Sequence, residues 1–146
     1  MESLFALSVN PLPAAPPFPV PTGVGAIACF EGIVRDNNEG KSVVRLEYSA
    51  YPKLAEREGT RIVRDAMVRF GLANAACIHR IGVLEIGAVA VKVWAAAAHR
   101  GAAFAACAFI IDEVKASVPI WKKEDYRDGG QAWVRCQHDS SGYSHA

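Results

Sequence analysis

Hydrophobic and polar residues alternate along several short segments of the chain, as they do in β-strands with one buried face. These strands are predicted over residues 24–34, 42–51, 77–84, 89–94 and 131–136. A polar turn at 36–40 joins the first two, so the pattern predicts a hairpin between them. The third and fourth strands are predicted to form a second antiparallel pair.

Two longer segments carry the apolar spacing of helices. The first begins at Pro52, which is suited to the first turn of a helix, and Gly71 is its expected C-terminal stop. The second covers residues 101–117 and must end before Pro119, because proline cannot continue a helix. The order β-β-α-β-β-α-β indicates one α+β domain with antiparallel strands and two main helices.

Proline and polar residues mark the two ends of the chain. Six of the eight prolines lie within residues 11–21, which precludes regular structure there. The sequence therefore predicts a proline-rich lead-in at 1–22, a folded domain at 23–136 and a polar tail at 137–146. The lead-in is expected to be extended, either packed on the domain or loosely tethered to it.

Composition limits the classes of partner. With 51% hydrophobic and 21% charged residues, the chain can bury a substantial core. A net charge of +1 gives no overall basic field, so neither a nucleic acid nor a membrane surface is an expected partner. No apolar run approaches the roughly 18 residues of a membrane span, and the N-terminus has no basic signal region.

The four cysteines indicate a compartment. They form no Cys-x-x-Cys pair, and the apolar runs around Cys29 and Cys107 predict buried free thiols. Free thiols are typical of a reducing cytoplasm, so a cytoplasmic protein is expected.

Two lysines around a single proline are the main chemical signal. Lys115 lies in the last turn of the second predicted helix, near the middle of its apolar stripe. The stripe is predicted to contain Phe104, Cys107, Ala108, Ile111, Val114 and Val118. Such a lysine either extends past the helix end to water or lies in a cleft as a base, nucleophile or anion clamp. By ending the helix, Pro119 allows Lys122 to turn back toward the same pocket.

Other basic residues are weaker candidates. His99 and Arg100 precede a helix N-terminus, where free N–H groups favour anions, although a surface pair fits the pattern equally well. Arg35 ends a strand at a loop, which suits a ligand contact or solvent exposure. His79 lies within a strand, where cross-strand pairing or a subunit contact is expected. His138 and His145, in the tail, have no partner at metal-ligand spacing, so no metal site is predicted.

Taken together, these segments resemble the large, catalytic subunit of molybdopterin synthase over about residues 23–135. The motifs that carry the resemblance lie at 25–35, 46–51, 79–82, 98–104, 118–124 and 133–134. The most specific is the pair Lys115 and Lys122 on either side of Pro119-Ile120-Trp121. The N-terminus departs from the family, because the proline-rich segment stands where relatives often have longer regular structure.

The resemblance implies a fold, a reaction and partners. The fold is expected to be α/β-hammerhead-like. The reaction is a sulfur transfer in molybdenum cofactor biosynthesis, in which cyclic pyranopterin monophosphate receives two sulfurs and becomes molybdopterin. The sulfur comes from the thiocarboxylated Gly-Gly C-terminus of a small ubiquitin-like subunit, and two large subunits form a homodimer at the centre of a heterotetramer. No cofactor is implied.

The resemblance also implies roles for individual residues. Lys115 and Lys122 would be catalytic. Substrate-binding positions, besides the two lysines, would be Ile33, Val34, Arg35, His99, Arg100, Lys123 and Glu124. His99 and Arg100 would serve either their own site or that of the neighbouring subunit. Phe30 and Ile111 would form the pocket wall.

Two other functions remain compatible with the residues themselves. One is a non-catalytic module that binds a carrier-protein tail or a small phosphate ligand. The other is an enzyme that forms a Schiff base between a lysine and a carbonyl metabolite. The sequence leaves open which lysine is the acid or base, the clamp or a transient nucleophile.

Overall fold

Two β-sheets and two helices form the fold in a computed structural model that describes residues 4–135. The strands are β1 (Phe5–Ser8), β2 (Ala26–Ile33), β3 (Asn37–Asn38), β4 (Lys41–Ala50), β5 (Asn74–Arg80), β6 (Gly82–Glu85), β7 (Val89–Ala97), β8 (Ile120–Tyr126) and β9 (Gln131–Arg135). The helices are α1 (Pro52–Phe70) and α2 (Arg100–Ser117). The predicted α+β class is confirmed.

The ends of both helices follow from local sequence. Pro52 is the first residue of α1, and Gly71 ends it in the left-handed conformation at φ 63°, which glycine adopts without steric cost. Helix α2 begins at Arg100, one residue before the predicted start, and its last turn contains Lys115. Pro119 follows directly after the C-cap residue Val118.

The first sheet, with strand order β1-β5-β7-β2, supports the main core. Strand β1 runs parallel to β5, whereas β5 and β2 both run antiparallel to β7. Helices α1 and α2 pack together and cover this sheet. The buried residues of this core include Phe5, Ile62, Val93 and Ile110. Their removal from water is the main stabilising contribution to the fold.

The second sheet has the order β3-β4-β8-β9, and β6 pairs with β4. A smaller buried cluster lies on it and includes Val43, Leu46 and Leu84. Ala90 belongs to the same cluster but comes from β7 of the first sheet, and Val34 comes from the position just after β2. The two sheets therefore meet beside this cluster.

The predicted hairpin between residues 24–34 and 42–51 is wrong. Strand β2 pairs with β7, and β4 pairs with β8 in the other sheet. The intervening turn instead folds back as β3 on the start of β4. Alternating polarity identifies a strand with one buried face but does not identify its partner, and here both partners are distant in sequence.

Several other strands differ from the prediction. Residues 77–84 form parts of two strands, because the chain bends between β5 and β6 at Gly82, with φ 96°. Strand β8 was not predicted, since its charged residues conceal the alternation. Strand β1 was not predicted either, because it is only four residues long.

The buried face of α2 also differs from the prediction. Phe104 is exposed, and so is Ala108. The residues that α2 buries are Ala103, Ala106, Cys107, Ile110, Ile111 and Val114. Alanine side chains are small, so the first half of α2 lies close to the sheet on the side that carries Ala103 and Ala106, and this side is the buried one. Lys115 is half-buried at the edge of this face.

Two of the cysteine predictions hold. Cys77 and Cys107 are buried free thiols, and burial raises the pKa of Cys107 to about 11. Cys29 is exposed, because it lies on the outer face of the edge strand β2. Cys136 lies outside the described residues.

The proline-rich lead-in packs on the domain. Residues 11–21 contain no helix or strand, as predicted. The buried Lys92 ammonium donates a 2.8 Å hydrogen bond to the Pro13 carbonyl and lies 3.0 Å from the Glu31 carboxylate. The domain boundary at residue 22 remains a prediction. His138, His145 and the rest of the tail at 137–146 lie outside the described residues.

Candidate active site

Lys115 and Lys122 lie on the wall of one cavity, where the two sheets meet the end of α2. The cavity has a volume of about 190 Å³. Its polar lining consists of Arg35, Asn37, Asn38, Tyr48, His79, Lys115, Lys122 and Glu124. These residues come from both sheets, from α2 and from the loop after β2, so the cavity exists only in the complete fold.

The path of the chain after α2 brings the two lysines together. Helix α2 ends at Ser117, and after Pro119 the chain enters β8, which runs antiparallel to β4. This pairing sets Lys122 opposite Tyr48, another residue of the cavity wall. A continuous helix would instead separate the two lysine Cα atoms by about 10 Å along its axis.

Glu124 holds the ammonium group of Lys122. The Glu124 side chain is buried, and its carboxylate lies 3.2 Å from Lys122 Nζ. Asn38 Nδ2 donates to both carboxylate oxygens at 3.0 Å, and the Tyr126 hydroxyl donates at 2.8 Å. Burial acts to raise the pKa of Glu124, but these hydrogen bonds and the Lys122 charge outweigh it and lower the pKa. Glu124 is therefore an anion that positions Lys122.

Lys115 lies in a less polar part of the site. It also lines a smaller adjoining cavity, together with Ile111, Val114, Ile120 and His79. Ile111 therefore forms part of the wall beside Lys115.

His79 is a site residue that the sequence did not indicate. Its side chain is buried in β5, and it lines both cavities together with Lys115. Burial, aided by the charge of Lys115, lowers the pKa of His79 from 6.5 to about 4, although its hydrogen bond to Arg80 acts in the opposite direction. The alternation of side chains along a strand could have indicated it. His79 is two residues from the apolar Cys77, so both side chains lie on the same face of β5.

The end of β2 and the two residues after it supply the opposite rim of the cavity. Ile33, Val34 and Arg35 all line it, and Arg35 is exposed. Arg35, Lys115 and Lys122 bring three cations to this cavity. Among the described residues, the only carboxylate that lines it is Glu124, which is already paired with Lys122. The site is therefore suited to an anionic ligand.

Four other predicted site residues do not line this cavity. Because side chains alternate along a strand, Lys123 points to the other face of β8, where it lies 3.5 Å from Glu47 and over the Trp133 ring. Phe30 is half-buried and packs against the main core. His99 and Arg100 are exposed at the start of α2.

Two further properties bear on ligands and environment. Within residues 4–135, no group of three His, Cys, Asp or Glu side chains is arranged to hold a metal ion. In the same part of the chain, neither helix has both the length and the apolarity needed to span a membrane.

Sequence and structure comparisons give consistent relatives. The profile of the MoaE protein family matches residues 14–117. The chain is 50% identical over 109 residues to the molybdopterin synthase catalytic subunit of Oryza sativa subsp. indica, covering 75% of this chain and 56% of that protein. It is 45% identical over 113 residues to the Pyrococcus abyssi catalytic subunit, covering 77% and 76%. The chain thus spans little more than half the length of the rice relative.

A solved structure agrees with these matches. Molybdopterin synthase from Staphylococcus aureus superposes with a TM-score of 0.84 at 31% identity, covering 91% of this chain and 98% of that one.

Proposed function

The chain belongs to the MoaE protein family, and from this premise we propose that it is the catalytic subunit of a molybdopterin synthase. In this function it transfers two sulfurs to cyclic pyranopterin monophosphate and so forms molybdopterin. The observation that carries the proposal is the meeting of Lys115, Lys122 and Arg35 in one cavity. The relatives named as catalytic subunits support the same reaction.

The reaction needs the charges that this cavity supplies. Attack of a thiocarboxylate sulfur on a substrate carbon develops negative charge on oxygen, and opening of the cyclic phosphate requires proton transfer. Ammonium and guanidinium groups stabilise such charge when they are already in position. An ammonium group can also donate a proton and accept it back.

The surroundings of the two lysines support different roles. Lys122 is ion-paired with Glu124, so it serves as a fixed cation that holds the phosphate or the carboxylate end of the carrier tail. Lys115 lies beside apolar walls and His79, so it serves as the group that moves a proton. Arg35, on the exposed rim, binds the phosphate together with Lys122.

The partners in this proposal are a small ubiquitin-like sulfur carrier and a second copy of the chain. Exposed apolar residues on the edge strand β2 and on α2, among them Ile27, Ile33 and Phe104, support a contact with another subunit. His99 and Arg100 lie outside the cavity of their own chain, which supports a role in the neighbouring subunit's site. The free thiols Cys77 and Cys107 support a reducing, cytoplasmic location.

Reconstitution with purified components tests the proposal. The chain, a thiocarboxylated carrier and the cyclic pterin are mixed, and dithiolene formation is followed in a single turnover. Lys115→Ala and Lys122→Ala should each lower the rate at least about 100-fold, the scale of a lost acid–base group, with the fold intact. Lys53→Ala, which removes an exposed lysine on α1, should react like wild type.

The outcomes separate the candidate functions. Carrier binding without any dithiolene would indicate a binding module. Trapping of a substrate on Lys115 or Lys122 by borohydride would indicate Schiff-base chemistry. A near-normal rate in the Lys115→Ala protein would remove Lys115 from the mechanism.

A further inference from the structure

His79 occupies a position in the cavity wall that gives it access to Lys115. The imidazole comes from the middle of the first sheet, opposite Val91 of β7, and Lys115 comes from the last turn of α2. Both residues line the main cavity and both line the smaller cavity beside it. They are the only titratable residues of the smaller cavity, whose other walls in the described chain are apolar.

The orientation of the imidazole is fixed by contacts on two sides. His79 Nδ1 lies 2.7 Å from the backbone carbonyl of Arg80, and since a carbonyl oxygen only accepts, Nδ1 carries the proton. The Tyr48 ring packs edge-on against the imidazole, with centroids 4.9 Å apart. In the neutral ring, the remaining nitrogen, Nε2, is then a hydrogen-bond acceptor.

The charges around the cavity favour this neutral form. The titratable groups that line the main cavity together with His79 are Lys115 from α2, Lys122 and Glu124 from β8, Arg35 from the loop after β2 and Tyr48 from β4. Three of these groups are cations, and the carboxylate of Glu124 is already paired with Lys122. An imidazolium would add a further buried positive charge, whereas neutral imidazole adds an acceptor.

We propose that His79 is a positioning residue whose Nε2 accepts a hydrogen bond from the ammonium group of Lys115 and aims that lysine into the cavity. The consequence for catalysis rests on the proposed function, but the hydrogen bond itself does not. In the sulfur transfer, this contact keeps the proton of Lys115 at a fixed distance from the substrate. Such positioning affects the chemical step more than it affects substrate binding.

Two amide substitutions separate the roles of the two ring nitrogens. His79→Asn places an N–H donor near the position of Nδ1 and can keep the bond to Arg80, but it has no acceptor at the position of Nε2. His79→Gln reaches the position of Nε2 with its amide oxygen. Lys115 is titrated by NMR of its side-chain Cε and Nζ nuclei in the full chain, without substrate, and single-turnover rates are measured on the same proteins.

The two variants should differ in a defined order. Loss of a hydrogen-bond acceptor disfavours an ammonium ion. The midpoint of the Lys115 titration should therefore fall by roughly one pH unit in His79→Asn and by less in His79→Gln. The rate of dithiolene formation should fall about 10-fold in His79→Asn, with little change in substrate affinity, and His79→Gln should recover much of it. An unchanged Lys115 titration in a folded His79→Asn protein would overturn the proposal.

A reciprocal measurement covers the case in which neither His79 variant folds. The ¹⁵N resonance of His79 Nε2 is compared in wild type and in Lys115→Ala, and it should move toward that of a nitrogen that accepts no hydrogen bond. An unmoved resonance would overturn the proposal. If wild type forms no dithiolene, the proposed enzyme function fails, while the two NMR measurements still decide whether His79 holds Lys115.

Discussion

Burial of the neutral His79 ring predicts a specific loss of stability in mild acid. The pKa of His79 is about 4 in the folded protein and 6.5 as its ordinary value. As the pH falls below 6.5, the unfolded chain takes up a proton at this residue and the folded chain does not. Each pH unit in this window therefore lowers the free energy of unfolding by up to 1.36 kcal/mol, about 3 kcal/mol in all.

This loss is large enough to measure. Domains of this kind have a total stability of roughly 5–15 kcal/mol, so about 3 kcal/mol is a substantial fraction. Urea unfolding of wild type and His79→Gln is compared at several values from about pH 7.5 to about pH 4.5, because the difference between the proteins cancels the titration of shared carboxylates. The advantage of wild type over the variant should shrink by roughly 2–3 kcal/mol across this range.

A matched histidine provides the control. His99→Gln removes an exposed histidine at the start of α2, and its difference from wild type should stay constant within about 0.5 kcal/mol. A difference between wild type and His79→Gln that is equally constant would refute the reasoning, since it would mean that His79 gains its proton at the same pH in both states.

Two further substitutions test the packing around the site and the core. Glu124→Gln should destabilise the protein by about 3 kcal/mol in urea unfolding and should slow sulfur transfer, because Lys122 loses its buried anion. The control, Asp125→Asn, should lose much less stability, because its partner Arg45 is half exposed. Equal losses in the two variants would contradict the role given to Glu124. Gly59→Ala should cost about 1–3 kcal/mol in thermal unfolding, since its Cβ would overlap the Phe5 ring and separate β1 from α1. Gly101→Ala, with open space at its Cβ, should be close to neutral, and a Gly59→Ala protein as stable as this control would show that β1 can shift at little cost.

Local sequence was sufficient for features that depend on neighbouring residues. Pro52 and Gly71 set the ends of α1, and Pro119 sets the end of α2, because each restricts the backbone at its own position. The same locality explains why Lys115 and Lys122 could be identified as a pair, since only a short, proline-broken segment separates them. The family resemblance then indicated the proposed reaction, which no single motif specified.

Tertiary structure alone decided which residues share the cavity with that pair. The pairing of β4 with β8 gives Lys122 its neighbours, and the strand alternation of β8 directs Lys123 away. His79 reaches the cavity because β5 lies inside the first sheet, and Asn38 reaches Glu124 across 86 residues of sequence. Periodicity states which face of a strand is buried but not what it is buried against, so the sequence determined the helix ends and the two lysines, and the long-range strand pairing determined the site around them.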